Sequence, residues 1–362
     1  MQHQHHHHYT TNNVVLENHR AKFVYQLILF VITTSVGLWL TTSPFITDLL
    51  IPYEERQEMR NAKETVDTLV TQSIMNRQDA VTLTSHELRM AACLVNPANM
   101  KHGFEAIGGM EDIKKRLFTH VLIPLKYHEQ FSGEDPMFPR PPRGVLFSGK
   151  SGCGKTMMAR AIAKEAGVSF LNVSLSDMNN KYVGESEKLI SAMFSLARKI
   201  APCVLFMDEI DGAVSERSVI DQSHVNSTKA HLLSMLDAID DSDAPIVVIG
   251  CTNCAARLDK AMRRRLPIVV EFELPTTEDR FAILKAITIK EEVDIQDLVY
   301  AAALSIGFSG SDLQQVYREA QMHRMMCMID KARASRALAR EDLDAGIEAV
   351  AKSMDAHASI HI

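Results

Sequence analysis

The chain has 362 residues, 46% of them apolar and 23% charged, which excludes a mostly disordered protein and leaves room for two or three structural units. A formal charge of −6 gives no basic surplus to drive binding to a phosphate backbone, so no nucleic acid is expected as a partner. The six cysteines are scattered, which argues for a reducing compartment rather than a disulfide framework, and the pair Cys251 and Cys254 lacks the second pair that a zinc site needs.

Residues 1–22 open with five histidines between Gln2 and His8, a run that fits metal binding, an expression remnant or disordered chain. Disordered tail is the reading adopted. Phe23 to Leu40 follows without a charge, and with the uncharged residues to Thr47 it exceeds what a helix needs to cross a hydrocarbon core about 30 Å thick. A signal peptide would end in a small-residue cleavage site, whereas this stretch ends in Thr41-Thr42-Ser43-Pro44, so 23–47 is expected to be a transmembrane anchor. Arg20 and Lys22 on one side balance Arg56 and Arg60 on the other, and the positive-inside rule gives no orientation.

Residues 48–103 read as a helical linker. Met59, Ala62, Val66, Leu69 and Ile74 are spaced for a stalk helix, and Ser85 to Val95 predicts a second short helix closed by Asn96-Pro97. From 104 to 275 apolar strands alternate with amphipathic helices: Gly144–Phe147, Ser169–Val173, Cys203–Met207, Ile246–Gly250 and Val269–Leu274. Such alternation predicts an α/β fold, a parallel sheet with helices on both faces. Beyond Pro275 the strands are expected to stop. Helices over Phe281–Lys290, Ile295–Ser305, Ser311–Ala332 and Arg340–Lys352 would make residues 276–362 a small helical domain, with Ser309 and Asp312 as a capping box.

Gly149-Lys150-Ser151-Gly152-Cys153-Gly154-Lys155-Thr156 fits the phosphate-loop pattern and lies between a strand and a helical run, the setting that pattern requires. Its backbone N–H groups would wrap phosphates, Lys155 would contact the β- and γ-phosphates of ATP, and Thr156 would bind Mg²⁺. Val204-Leu205-Phe206-Met207 delivers Asp208 and Glu209 to the same edge of the sheet. Asp208 would hold the metal and Glu209 would polarise the attacking water. Asn253 follows the next strand, where it could sense the γ-phosphate, and Arg263-Arg264-Arg265 comes shortly after.

In order along the chain, Ile107-Gly108-Gly109, the phosphate loop, Asp208-Glu209-Ile210-Asp211, Thr252-Asn253, the arginines and Gly307-Phe308-Ser309-Gly310-Ser311-Asp312-Leu313 resemble the meiotic clade of AAA ATPases. Leu83-Thr84-Ser85-His86-Glu87 and Cys93-Leu94-Val95-Asn96-Pro97 are similar to the lead-in of its membrane-anchored, thorase-type dislocases, which remove tail-anchored proteins from the mitochondrial outer membrane and peroxisomes. The resemblance implies ATP and Mg²⁺ as ligands, Ile107 and Gly108 near adenine, Gly310 and Ser311 at the nucleotide, and Asn253 as first sensor. It implies Arg264 and Arg265 as fingers reaching a neighbour's ATP in a homohexamer. It also implies a pore loop in which Lys181, Tyr182 and Val183 grip a membrane-protein client. Three departures stand out: Lys150-Ser151 replaces two prolines, Val183 replaces a second aromatic, and the arginine run has three members.

Microtubule severing is the competing reading within the clade, but the linker is short and mixed in charge. A non-hydrolysing scaffold is opposed by the full set of catalytic side chains, and a membrane protease by the lack of any H-E-x-x-H motif.

Overall fold

The computed structural model describes residues 57, 60, 64, 66, 67, 70, 71, 82–100, 102–131, 142–176, 185–211, 222–240, 244–330 and 337–360. The histidine run, the anchor expected over 23–47 and the pore-loop residues Lys181, Tyr182 and Val183 lie outside them. Among the described residues no helix is long and apolar enough to cross a membrane. The chain divides into two units, Met1–Asn61 and Ala62–Ile362, and the strands and helices given below, which are those bounded among the described residues, belong to the second.

Six strands form one sheet: β1 (Leu94–Val95), β2 (Gly144–Gly149), β3 (Ser169–Ser174), β4 (Cys203–Asp208), β5 (Ile246–Thr252) and β6 (Ile268–Phe272), in the order β1-β3-β4-β5-β2-β6. The five predicted strands are present and mutually parallel. Before the sheet's centre come α1 (Ser85–Ala91), α2 (Glu111–Leu117), a π-helical turn over Phe118–Leu122, α3 (Ile123–Lys126) and α4 (His128–Phe131). Then α5 (Lys155–Ala166), α6 (Ser186–Lys199), α7 (Gln222–Asp240) and α8 (Lys260–Arg265) connect the strands. The helices α9 (Thr277–Ile287), α10 (Ile295–Leu304), α11 (Gly310–Asp330) and α12 (Arg340–Ile360) complete the chain.

The sheet is not wholly parallel, and the helix expected over Ser85–Val95 is shorter. A capping box between Thr84 and Glu87 starts α1, but the chain turns at Ala92 and Cys93, and Leu94 and Val95 pair antiparallel with Leu171 and Phe170. Asn172 N–H donates to Cys93 O at 3.0 Å. The open edge of β3 offers partners to these backbone groups, and satisfying both chains outweighs another helical turn.

Alternation along the strands separates two cores. In β4, Cys203, Leu205 and Met207 join the cluster under α1, α6 and α7, which also takes in Val66; Val204 and Phe206 join the other, with α5. A third cluster, built around Leu284, Leu298, Phe308, Leu313, Val316 and Leu343, belongs to α9–α12. Strands do not stop entirely at Pro275, because Val293 and Leu338 make an isolated parallel bridge across this helical region. The helices there are shifted from expectation: α9 begins at Thr277, since Thr276 and Asp279 form a capping box ahead of the apolar run, and α12 runs on to Ile360. At the head of α11, Ser309 N–H donates to Asp312 Oδ2 at 2.8 Å and Asp312 N–H to Ser309 Oγ at 3.4 Å, the expected reciprocal cap.

Glu87 ties the segment before the sheet to α6. It is 2% exposed, accepts from Ser195 Oγ at 2.7 Å, and pairs with Lys199 Nζ at 2.8 Å, both on α6. Burial pushes its pKa up, but Lys199, the Thr84 N–H and hydroxyl, and Ser195 outweigh burial and hold it below the ordinary carboxylate value. A depressed folded-state pKa means that this stabilisation is present above the unfolded value near ~4.3 and is lost as pH falls through the folded one. Glu87→Ala is therefore expected to cost about 1–3 kcal/mol near neutral pH by stranding its partners. Urea titrations of mutant and wild type should show the gap, and should show it narrowing below about pH 4.

Candidate active site

The phosphate loop leaves the C-terminal end of β2, the sheet's second strand from one edge, and runs into α5, whose first residues are Lys155 and Thr156. Lys155 is 7% exposed, yet its ammonium is fully engaged: Nζ donates to Gly149 O at 2.6 Å, Lys150 O at 2.8 Å and Asn253 Oδ1 at 2.9 Å. A buried ammonium needs such partners. The bond to Asn253 joins the phosphate loop to the end of β5, so two residues separated by 98 positions meet at one point. Gly152 has φ of +78°, and a Cβ there would lie 2.1 Å from Ser311 Oγ, so only glycine fits. Ser311 N–H donates to Gly152 O at 3.1 Å, which seats the head of α11 on the loop.

Ile107 and Gly108 lie on the opposite wall. A Cβ on Gly108 would come within 2.4 Å of the Ala282 and Ile283 backbone, so this segment lies directly against α9. Asp279 Oδ1 also accepts from Met110 N–H at 3.0 Å. Burial raises the Asp279 pKa, while the Met110 N–H and Thr276 lower it further, leaving the carboxylate below its ordinary range. Between the walls is a cleft of about 810 Å³ lined by Ile107, Gly108, Gly152, Lys155, Thr156, Asp208, Glu209, Asn253, Gly310 and Ser311, among others.

Asp208 ends β4, and Glu209 follows with φ of +51°, a conformation a non-glycine side chain adopts only under constraint. The constraint is visible on each side: Glu209 N–H donates to Asp208 Oδ1 at 2.9 Å, and Ile210 N–H donates to Cys251 O at 3.0 Å. Ser176 Oγ donates to Glu209 Oε2, and so holds the carboxylate from the end of β3. Thr252 Oγ1 donates to Asp211 Oδ1 at 2.8 Å and accepts from Cys254 N–H at 3.0 Å, which fixes the turn carrying Asn253. Burial, then the negative charge of Asp208, pushes the neighbouring Cys251 thiol far up, so it stays protonated and takes no part in acid–base work.

The glycine cradle, the buried ammonium and the paired carboxylates on one cleft fit a magnesium–nucleoside triphosphate. Lys155, Thr156 and Asp208 are the residues that suit its phosphates and metal.

The arginines are elsewhere. They lie on α8, whose residues do not line the cleft. Arg265 is gripped by Asp237 of α7 through Nε and Nη2, both at 2.6 Å, and the guanidinium holds the Asp237 carboxyl below its usual range. Arg263 and Arg264 are both exposed, and Arg263 donates to Ala255 O at 2.6 Å. Sequence reasoning missed Ser176, Asp237 and Asp279. The first two carried no motif, and Asp279 was legible only as a helix-capping residue after Thr276.

Fold and cleft together define a phosphate-loop ATPase. The family model described as "ATPase family associated with various cellular activities (AAA)" matches residues 145–274. The outer mitochondrial transmembrane helix translocase of Homo sapiens is 38% identical over 288 residues, 76% of this chain and 78% of that protein. One from Danio rerio is 34% identical over 339 residues, 91% of each chain. Among solved structures, the FIGL-1 AAA domain aligns with a TM-score of 0.64 at 29% identity, covering 78% of this chain and 97% of that one. The chain is an ATPase of the AAA family, and within that family it belongs with the outer mitochondrial transmembrane helix translocases.

Proposed function

We propose that this ATPase pulls tail-anchored or other membrane proteins out of a bilayer by threading them through the pore of a homohexamer. The carrying observation is the meeting of Lys155, Asp208, Glu209 and Asn253 on one cleft, in a chain 38% identical to a transmembrane helix translocase. Residues 23–47 are the anchor, 48–103 the linker, 104–275 the large ATPase domain and 276–362 the helical lid. The membrane is the mitochondrial outer membrane, the peroxisomal membrane or both, with the ATPase domain in the cytosol.

On this reading Lys155 exchanges the carbonyls of Gly149 and Lys150 for phosphate oxygens, and Thr156 and Asp208 hold Mg²⁺. Bound there, the metal would neutralise charge on the phosphates. Glu209, released from Ser176, orients the attacking water and accepts its proton. Asn253, released from Lys155, faces the terminal phosphate. Ile107 and Gly108 lie beside the adenine. Gly310 and Ser311 contact the phosphate loop from the lid, so that filling the cleft shifts α11. Arg264 and Arg265 complete a neighbour's site, and Arg265 does so only after leaving Asp237.

Lys181, Tyr182 and Val183 grip the client. An aromatic ring offers large contact area at low entropic cost, and it holds an unfolded chain without reading its side chains. Tyr182→Ala is expected to keep ATP turnover within about twofold while extraction of a tail-anchored protein from liposomes is lost, because the cleft chemistry needs nothing from the loop. Extraction at the wild-type rate would remove Tyr182 from the role.

A further inference from the structure

Asp279 carries two hydrogen-bonding duties on separate oxygens. Oδ2 closes the capping box of α9, accepting from Thr276 N–H at 3.2 Å and from Thr276 Oγ1 at 2.8 Å, while Asp279 N–H donates back to Thr276 Oγ1 at 3.1 Å. A helix start needs nothing more from this side chain. Oδ1 nevertheless reaches a residue 169 positions earlier, Met110, whose N–H donates to it at 3.0 Å. Met110 has φ of +57° and ψ of +36°, the left-handed conformation that a residue other than glycine holds only under constraint. Its carbonyl accepts from Lys114 N–H at 2.9 Å, so this constrained residue is the point at which the Ile107–Gly108 segment gives way to α2.

The segment touches α9 a second time. Gly108 lies against the backbone of Ala282 and Ile283, three and four residues beyond Asp279 and therefore on the same face of the helix. Space at the first contact is tight: a Cβ on Gly109 would be 2.2 Å from Asp279 Oδ1 and 2.9 Å from its Cβ and Cγ. On the other side the Met110 side chain reaches the phosphate loop, its Cε 3.6 Å from where a Cβ on Gly154 would lie.

We propose that Asp279 is a positioning residue for the nucleoside: by holding Met110 N–H in its left-handed turn, it sets the backbone of Ile107 and Gly108 against the base of the bound nucleotide. The inference rests on the reading that Ile107 and Gly108 lie beside adenine. On that same reading the phosphates are held from the facing wall, by the phosphate loop, Lys155 and Asp208. Asp279 therefore acts on recognition of the base and not on phosphate binding.

The test titrates the full-length protein calorimetrically, with Mg²⁺ present, against ADP and separately against inorganic tripolyphosphate, which has no base. Asp279→Glu is the decisive variant. Glutamate is the better capping-box partner at this position, so the start of α9 is retained. Its extra methylene has no room against Gly109 and takes the acceptor away from Met110. Asp279→Glu is expected to weaken ADP binding about tenfold, roughly what one hydrogen bond is worth, and to leave tripolyphosphate binding as in the wild type. Asp279→Ala, which loses the cap as well, should weaken ADP at least as much, but the decision does not depend on its folding. Wild-type affinity for ADP in the Asp279→Glu protein overturns the inference. Equal losses for ADP and tripolyphosphate overturn it too, because the residue then acts through the fold as a whole. If the wild-type protein itself binds ADP no tighter than tripolyphosphate, the reading that places adenine beside Ile107 and Gly108 falls, and the inference with it.

Discussion

Glu209→Gln protein is expected to bind ATP as the wild type does and to hydrolyse it about 10²–10⁴-fold more slowly. The substitution keeps the size of the side chain and one acceptor oxygen, so the bond from Ser176 and the turn after β4 have no reason to change. It removes the carboxylate proposed to accept a proton from water. On the proposed reading binding rests on other atoms, those of the phosphate loop, Lys155, Thr156 and Asp208, and residues 151–156 and Asp208 line the same cleft. Single-turnover hydrolysis beside a nucleotide-binding titration separates the two effects. Turnover near the wild-type rate would assign the base elsewhere. Loss of binding as well would mean that the positive φ of Glu209, at 51°, depends on the carboxylate, making the residue structural.

The second large effect concerns residues that the folded subunit keeps away from its own cleft. Arg264→Ala is expected to lower ATP turnover about 10³–10⁵-fold, the range for an arginine supplied to a phosphoryl-transfer site. A single subunit gives it nothing to do there: α8 is absent from the cleft lining and Arg264 is exposed. Lys155→Ala should be equally inactive because it empties the phosphate cradle. Mixed, the two variants should regain part of the activity, since some interfaces would pair an intact arginine with an intact phosphate loop. Absence of recovery at every mixing ratio, with assembly verified by light scattering, would count against action between subunits. Arg265→Ala provides a contrast. That side chain is bidentate to Asp237, and its removal should also disturb the α7–α8 junction, which Arg264→Ala leaves alone.

Legibility of the sequence followed the range of the interactions. The phosphate loop and Asp208-Glu209 were readable because each is one short segment whose function needs consecutive residues: a strand, a turn of glycines or acids, then a helix. Of the parallel strands, β2, β4 and β5 were readable because they are buried on both faces and so appear as continuous apolar runs, whereas β6, at the sheet's edge, alternates and exposes Val269 and Glu271. Leu94–Val95 was not readable, since a strand of two residues has no period and exists only because the edge of β3 is open to it. The bridge between Val293 and Leu338 was hidden for the same reason. Within the site, Lys155 and Asn253 were each named, but their bond at 2.9 Å depends on β5 lying beside β2. Asp237 was invisible because nothing in the sequence says which acid of α7 comes to face α8. Ser176 looked like any polar residue past a strand end, and acquires meaning only from the carboxylate it meets.

The most direct test of the central claim uses the full-length protein and a tail-anchored substrate in the same liposomes, with a soluble chaperone outside to trap what leaves the bilayer. With ATP, wild-type protein is expected to move the substrate into the soluble fraction, while Glu209→Gln protein binds ATP and leaves the substrate in the membrane. ATP turnover by the wild type with no release of substrate, or equal release by wild type and Glu209→Gln, would contradict a membrane-protein dislocase driven by hydrolysis at this cleft.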